Sequence, residues 1–267
     1  MKQNSAEYLR TNLHTHTWRC MHATGTEKEF VEKAIESGIK LLGFSDHSPM
    51  PFPNDHVSGF RMRPDQLEDY CRTVEGLKKE YAADIEIHIG LEAEYYPKCF
   101  DALLELLHGY PIEYLLLGQH CTMNEYDGAV SGYPTEDRSI LDQYVKQVVA
   151  GMETGRFLYL AHPDIIYYVG DENILLEAYR EICRKALSME IPLEINMLGI
   201  HLERTYPEER FWKVAGEVGN DVVIGVDCHH VNTMYLPEAY QRAMRLVKNC
   251  RLKLMDAAEL TGRFFAG

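Results

Sequence analysis

The 267-residue sequence predicts an α/β fold whose parallel strands close, or nearly close, into a barrel. Three observations predict it. Short β-rich runs recur along the chain: "YLRTNLH", "KLLGFSDH", "IEIHIGLEAEY", "EYLLLGQH", "FLYLAHP", "IPLEIN" and "DVVIGVDCHH". Longer stretches with helical spacing separate them, and strands alternating with helices imply a parallel sheet joined by right-handed crossovers. No internal repeat, low-complexity tract or Pro/Gly/Ser-rich linker breaks the rhythm, so residues 1–267 read as one domain. Seven strand–helix units in a domain of that length suit a barrel. The competing arrangement is an open doubly wound sheet, but the sequence has neither GxGxxG nor GxxxxGK[ST] to support a nucleotide-binding version of it.

The helices follow in order. The first is expected from Thr26 to Ser37: "TEKE" offers a capping box, in which Thr26 and Glu29 satisfy each other's free amides, and Gly38 stops it. Pro64 suits the first turn of the second, which carries Leu67, Tyr70, Val74 and Leu77 on one face. Spacing predicts further helices over 99–108, 136–153, 172–190, 207–218 and 237–248.

Composition narrows the function. A formal charge of −14 repels a phosphate backbone. The densest basic stretches, "LKKE" and "KNCRLK", read as solvated helix faces, so polymeric nucleic acid is not an expected partner. No apolar run reaches the roughly 20 residues of a membrane span, and "MKQNSAEYLR" lacks the apolar core of a signal peptide. Seven cysteines without a CxxC pair fit a reducing compartment better than a disulfide framework. A cytoplasmic protein is expected.

The last residues of each strand carry the chemistry. They are His14 and His16, Asp46 and His47, Glu92 and Glu94, His120, His162, Glu194 and Asn196, then Asp227, His229 and His230. Every predicted strand ends in residues able to bind or support a metal, at the face where barrel enzymes build their sites. In an extended strand residues i and i+2 share a face. "HTH" therefore aims His14 and His16 into one space, "DCH" does so for Asp227 and His229, and Glu92 and Glu94 face the same way. Asp46 points away from His47 and suits a supporting role. Glu194 and Asn196 read either as barrel interior or as neighbours of the site. His230 faces away from His229, His88 and His108 read as core residues, and His56 as a loop residue.

Seven histidines (14, 16, 22, 47, 120, 162, 229) and two carboxylates (Glu92, Asp227) exceed the needs of one ion. Two or three divalent ions, Zn, Fe or Mn by ligand type, would use them. They would reverse the acidic field locally and lower the pKa of water towards about 7, both of which phosphate ester hydrolysis requires.

The ordered set "HTH", "CMH", "SDH", "GLEAE", "GQH", "AHP", "EIN" and "VDCHH" resembles the PHP (polymerase and histidinol phosphatase) superfamily of metal-dependent phosphoesterases. Within it, the chain is similar to the monofunctional histidinol-phosphatases over about residues 8 to 250. The resemblance implies a distorted (β/α)7 barrel, a trinuclear centre and a small phosphorylated substrate, L-histidinol phosphate. It implies one ion on His14, His16, Glu92 and Asp227, a second on Glu92, His120 and His162, and a third on His22, His47 and His229. Asp227 and Glu92 are then the catalytic carboxylates, with Asp227 moving a proton between nucleophile and leaving alcohol. Arg61, Arg63, Arg138 and Arg204 fall after strands and are candidates to grip phosphate. His201 and Glu94 are candidates for substrate contact. Two other readings are weighed: a PHP phosphoesterase acting on another small phosphate ester or a short oligonucleotide, and a non-catalytic metal-binding domain.

Overall fold

The computed structural model describes residues 8–255 and 259–260. Strands β1 (Thr11–Asn12), β2 (Leu41–His47), β3 (Glu86–Ala93), β4 (Tyr114–Leu117), β5 (Tyr159–Leu160), β6 (Leu193–Asn196), β7 (Asp221–Gly225) and β8 (Lys253–Leu254) form one sheet in chain order. Every pairing is parallel. The sheet curls on itself. Just past β1 and β7 the two edges meet: the His16 amide donates to the Cys228 carbonyl at 2.9 Å and the Cys228 amide to the His14 carbonyl at 3.1 Å. The barrel therefore closes at the end that carries the clustered histidines. At the other end β7 pairs with β8, a strand absent from the sequence reading. Two exposed residues carry no hydrophobic pattern to announce it.

The helices lie where spacing placed them: α1 (Glu27–Glu36), α2 (Leu67–Glu80), α3 (Phe100–Leu107), α4 (Arg138–Glu153), α5 (Glu172–Ser188), α7 (Glu209–Val218) and α8 (Pro237–Cys250). The Thr26–Glu29 capping box is formed in both directions. Pro64 opens a 3-10 turn that runs into α2, whose Leu67, Tyr70, Val74 and Leu77 are buried against the sheet. A short α6 (Met197–His201), not expected from the sequence, follows β6 directly, started by the Asn196 side chain accepting from the Gly199 amide. No helix among the described residues is long and apolar enough to cross a membrane.

Inside the barrel, Leu13, Leu41, Tyr114, Leu116, Tyr159 and Val223 form a buried plug beneath the site. Tyr114 explains two glycines. Its ring lies across β2 and β3, where a Cβ on Gly43 would sit 2.9 Å from its Cζ and one on Gly90 2.5 Å from its Cε1. Its hydroxyl donates to the carbonyls of Leu13 and Phe44 at 2.8 and 3.1 Å. The floor of the site thus rests on a packed, internally satisfied layer.

His88 is buried and faces Glu86 and Glu113. His108 departs from the core reading: α3 ends at Leu107 and the chain turns at Gly109, leaving His108 exposed.

Candidate metal centre

Nine side chains converge at the closed end of the barrel, and Glu92 is their hub. Its Oε2 lies 3.5 Å from His14 Nε2, 3.6 Å from His16 Nε2 and 3.1 Å from His47 Nδ1. Its Oε1 lies 2.9 Å from His162 Nε2 and 3.4 Å from His120 Nε2. The β2–β3 register opposes His47 to Glu92 and so brings that pair together. Asp227 Oδ1 faces His16 Nε2 at 3.1 Å, His14 Nε2 at 3.6 Å and His229 Nδ1 at 3.2 Å. The rings of His22, His47 and His229 stand within 6.1 Å of one another, centroid to centroid. Asp227 and His162 hold left-handed backbones, φ 56° and 29°, a strain typical of residues whose direction matters more than their comfort.

These donors suit a divalent metal by their own geometry. His14 Nε2, His16 Nε2, His47 Nδ1 and Glu92 Oε2 are buried without a hydrogen-bond partner, a costly arrangement for four polar atoms aimed at one space. Three sets, His14–His16–Glu92, His14–His162–Asp227 and His16–His47–His229, each bring ligand atoms within 4.8 Å of one another. The Nε2 atoms of His22 and His229 face each other at 2.9 Å. Their Nδ1 atoms lie against the carbonyls of Cys20 and Asp227. With Nδ1 donating to those carbonyls, both Nε2 atoms present lone pairs to the same point, an arrangement that a bound cation or a proton shared between the rings reconciles. Nitrogen and carboxylate donors of this kind suit Zn, Fe or Mn.

Electrostatics keep the carboxylates ionised and split the histidines. Burial alone would push the carboxyls of Glu92 and Asp227 up, yet both lie well below the usual range. His120, His14 and His47 outweigh burial for Glu92, and His14, His229 and His16 do so for Asp227. Burial, then the neighbouring His229, pulls His22 down to about 4, which keeps its imidazole neutral. His16 goes the other way, to about 9, because Asp227 and Asp46 outweigh its burial.

A second layer fixes orientation. Glu194 Oε1 accepts from His14 Nδ1 at 2.8 Å and from Tyr159 at 3.3 Å, while its Oε2 accepts from the His162 amide and Asn196 Nδ2. Asn196 also donates to Asp227 Oδ2 at 3.2 Å, which leaves Oδ1 for the histidines. Asp46 accepts from Thr17 and lies 3.6 Å from His16 Nδ1. Glu194 and Asn196, left open between two roles by the sequence, are neighbours of the site. Two glycines make room for this layer: a Cβ on Gly118 would lie 2.6 Å from Glu92 Cδ, and one on Gly225 2.6 Å from Glu194 Cδ.

Above the donors opens a cavity of about 540 Å3 whose wall includes Arg204, His201, Phe60, Leu198 and Tyr206. Arg204 donates to the Tyr206 hydroxyl at 2.6 Å. Of the other residues expected at substrate, four are placed elsewhere. Arg61 is buried, its donors taken by Glu94, Glu125 and the Ser48 carbonyl. Glu94 is buried behind His120, accepting from His120 Nδ1 at 2.9 Å. Arg63 pairs with Asp65 at an exposed turn, and Arg138 is 63% exposed on α4 beside Asp142. A post-strand position in the sequence does not say whether a long side chain turns inward or outward; burial and partners decide that. Sequence reasoning missed Tyr206 and Glu125, which lie in loops without periodicity.

The family model described as the PHP domain matches residues 12–197. The chain belongs to the PHP family. A Deinococcus radiodurans protein named probable histidinol-phosphatase is 28% identical to this PHP protein over 231 residues, 81% of this chain and 85% of that one. The Escherichia coli K12 protein named probable phosphatase YcdX is 25% identical over 229 residues, 84% of this chain and 80% of its own length. The crystal structure of Lactococcus lactis histidinol phosphate phosphatase complexed with Zn, L-histidinol and phosphate superposes with a TM-score of 0.72. It covers 93% of this chain and 96% of its own, and at 18% identity the likeness is one of fold.

Proposed function

We propose that this PHP protein, a metal-dependent phosphatase, hydrolyses L-histidinol phosphate to L-histidinol and phosphate using two or three divalent transition-metal ions. One observation carries the reading: the two oxygens of Glu92 face separate sets of imidazoles, His14, His16 and His47 on one side and His120 and His162 on the other. A single ion would not need both. His14, His16, Glu92 and Asp227 would hold one ion, Glu92, His120 and His162 a second, and His22, His47 and His229 a third. Bound there, divalent ions supply Lewis acidity to phosphoryl oxygens and a nucleophile drawn from water near neutral pH.

The chain's own residues do the rest. Arg204, on the cavity wall, grips a phosphoryl oxygen, and its bond to Tyr206 pre-orients the guanidinium. Phe60, Leu198 and Tyr206 exclude water from the alcohol side. Asp227 lines the cavity, takes a proton from the attacking water and passes it to the departing alcohol. The relative named probable histidinol-phosphatase supports the choice of substrate.

One observation favours a second reading, a different small phosphate ester. Among the described residues lining the cavity, Asp227 is the one carboxylate, so the cationic amine of histidinol has no acidic group reserved for it. Phosphate release from L-histidinol phosphate, measured beside several small phosphomonoesters with and without an amine, decides between them. A kcat/KM far above the other esters supports the first reading, and equal rates with and without the amine support the second. Arg204→Ala with an unchanged KM would remove Arg204 from the phosphate site. Fewer than two equivalents of metal per chain, with no activation on adding more, would sink the cluster.

A further inference from the structure

The two halves of the centre are braced unequally. On the His14 side Glu194 is held by four donors: His14 Nδ1, the Tyr159 hydroxyl, the His162 amide and Asn196 Nδ2. On the His120 side Glu94 has two. Its Oε1 accepts from His120 Nδ1 at 2.9 Å and Arg61 Nη2 at 3.1 Å, and its Oε2 is buried without a partner. Arg61 is therefore the one group besides His120 that fixes this carboxylate among the described residues.

Arg61 is itself clamped. Its Nε and Nη2 donate to Glu125 Oε2 at 3.0 and 2.9 Å, and its Nη1 to the Ser48 carbonyl at 3.2 Å. Glu125, with a side chain only 3% exposed, also receives His56 Nε2 at 2.6 Å and the Ser58 hydroxyl at 3.2 Å. The neighbouring Phe60 stacks under the Arg61 guanidinium, 4.6 Å from its ring centroid, and stands edge-on to His47 and His120.

We propose that Arg61 and Glu125 are positioning residues for the metal centre. The chain Glu125–Arg61–Glu94–His120 sets the direction of His120 Nε2 towards Glu92 Oε1, and through Phe60 the same guanidinium fixes the wall above it. The proposal rests on the centre holding metal. Only a planar fork reaches Glu94, Glu125 and the Ser48 carbonyl together. An ammonium at the same place keeps the charge and loses the span.

Arg61→Lys tests it, with retained zinc per chain measured across a series of buffered free-zinc concentrations, and no substrate involved. The expected result is one equivalent held about tenfold less tightly, the scale of outer-shell changes at metal sites, with the other equivalents titrating as in the wild type. An unchanged titration overturns the proposal, and so does an equal weakening of every equivalent. If Arg61→Lys fails to fold, Glu125→Gln, which keeps both shapes and Arg61 itself, is read in the same way and is expected to shift the same equivalent less. A wild-type protein that binds no zinc, iron or manganese would overturn the metal-dependent reading as well. Loss of the Arg61 effect alone would leave that reading standing.

Discussion

Gly118→Ala puts the hub of the site under direct strain. A Cβ on Gly118 would lie 2.6 Å from Glu92 Cδ and 2.9 Å from its Cγ. Carbon pairs rest comfortably at about 3.5–4.0 Å, so the carboxyl must retreat by roughly 1 Å or β4 must bend. Five imidazoles face that carboxylate, and it cannot move away from Gly118 without changing its distance to all of them. Misplacement of a reacting constellation by 1 Å costs on the order of 100-fold in rate, or about 2.7 kcal/mol of barrier. The crowding itself should cost roughly 1–3 kcal/mol of stability. The assay is kcat/KM on metal-loaded protein, with retained metal and thermal midpoint measured on the same sample. Gly76→Ala in α2, where a Cβ meets nothing within 4 Å, is the control, and there a stabilisation of about 0.4–1 kcal/mol is expected. Folded Gly118→Ala with wild-type metal content and kcat/KM within about twofold of wild type would refute the claim that this glycine exists to seat Glu92.

Three further outcomes follow from particular contacts. Glu194→Gln turns one oxygen into a donor, so the side chain can no longer accept from both His14 and the His162–Asn196 pair; metal affinity should fall about 10- to 100-fold, and an unaltered zinc titration would contradict this. Glu113, where His88, Lys78 and the Ile89 amide outweigh burial, is lowered to about 2 from an ordinary 4.5. A depressed carboxyl adds stability that is present above 4.5 and is lost as pH falls towards 2. Glu113→Gln should therefore lower the urea midpoint at pH 7, with the gap narrowing below pH ~4.5 and closing only near pH ~2, whereas a pH-independent gap would point to packing alone. Arg138→Ala should leave kcat/KM unchanged, since its side chain is solvated beside Asp142, and a tenfold loss would return Arg138 to the substrate site.

The sequence by itself determined the strand–helix rhythm and the face that holds the site. Alternation along extended chain sends His14 and His16, just past β1, or Glu92 and Glu94, at the end of β3, to a common side whatever the rest of the chain does, because side-chain direction there is a local property. The α1 capping box is equally local: its donors and acceptors lie within four consecutive residues. Tertiary structure decided what depends on distant partners. Glu92 and Glu94 share a face, yet one lies among imidazoles and the other behind His120 against Arg61. Arg61 and Arg204 both follow strands, yet one is locked by Glu125 while the other lines the cavity. β8 forms because β7 offers an unpaired edge where it parts from β1, not because "KL" favours a strand. A residue's direction is written in its neighbours along the chain, but its partner is chosen by the packing of segments the chain brings together from far apart.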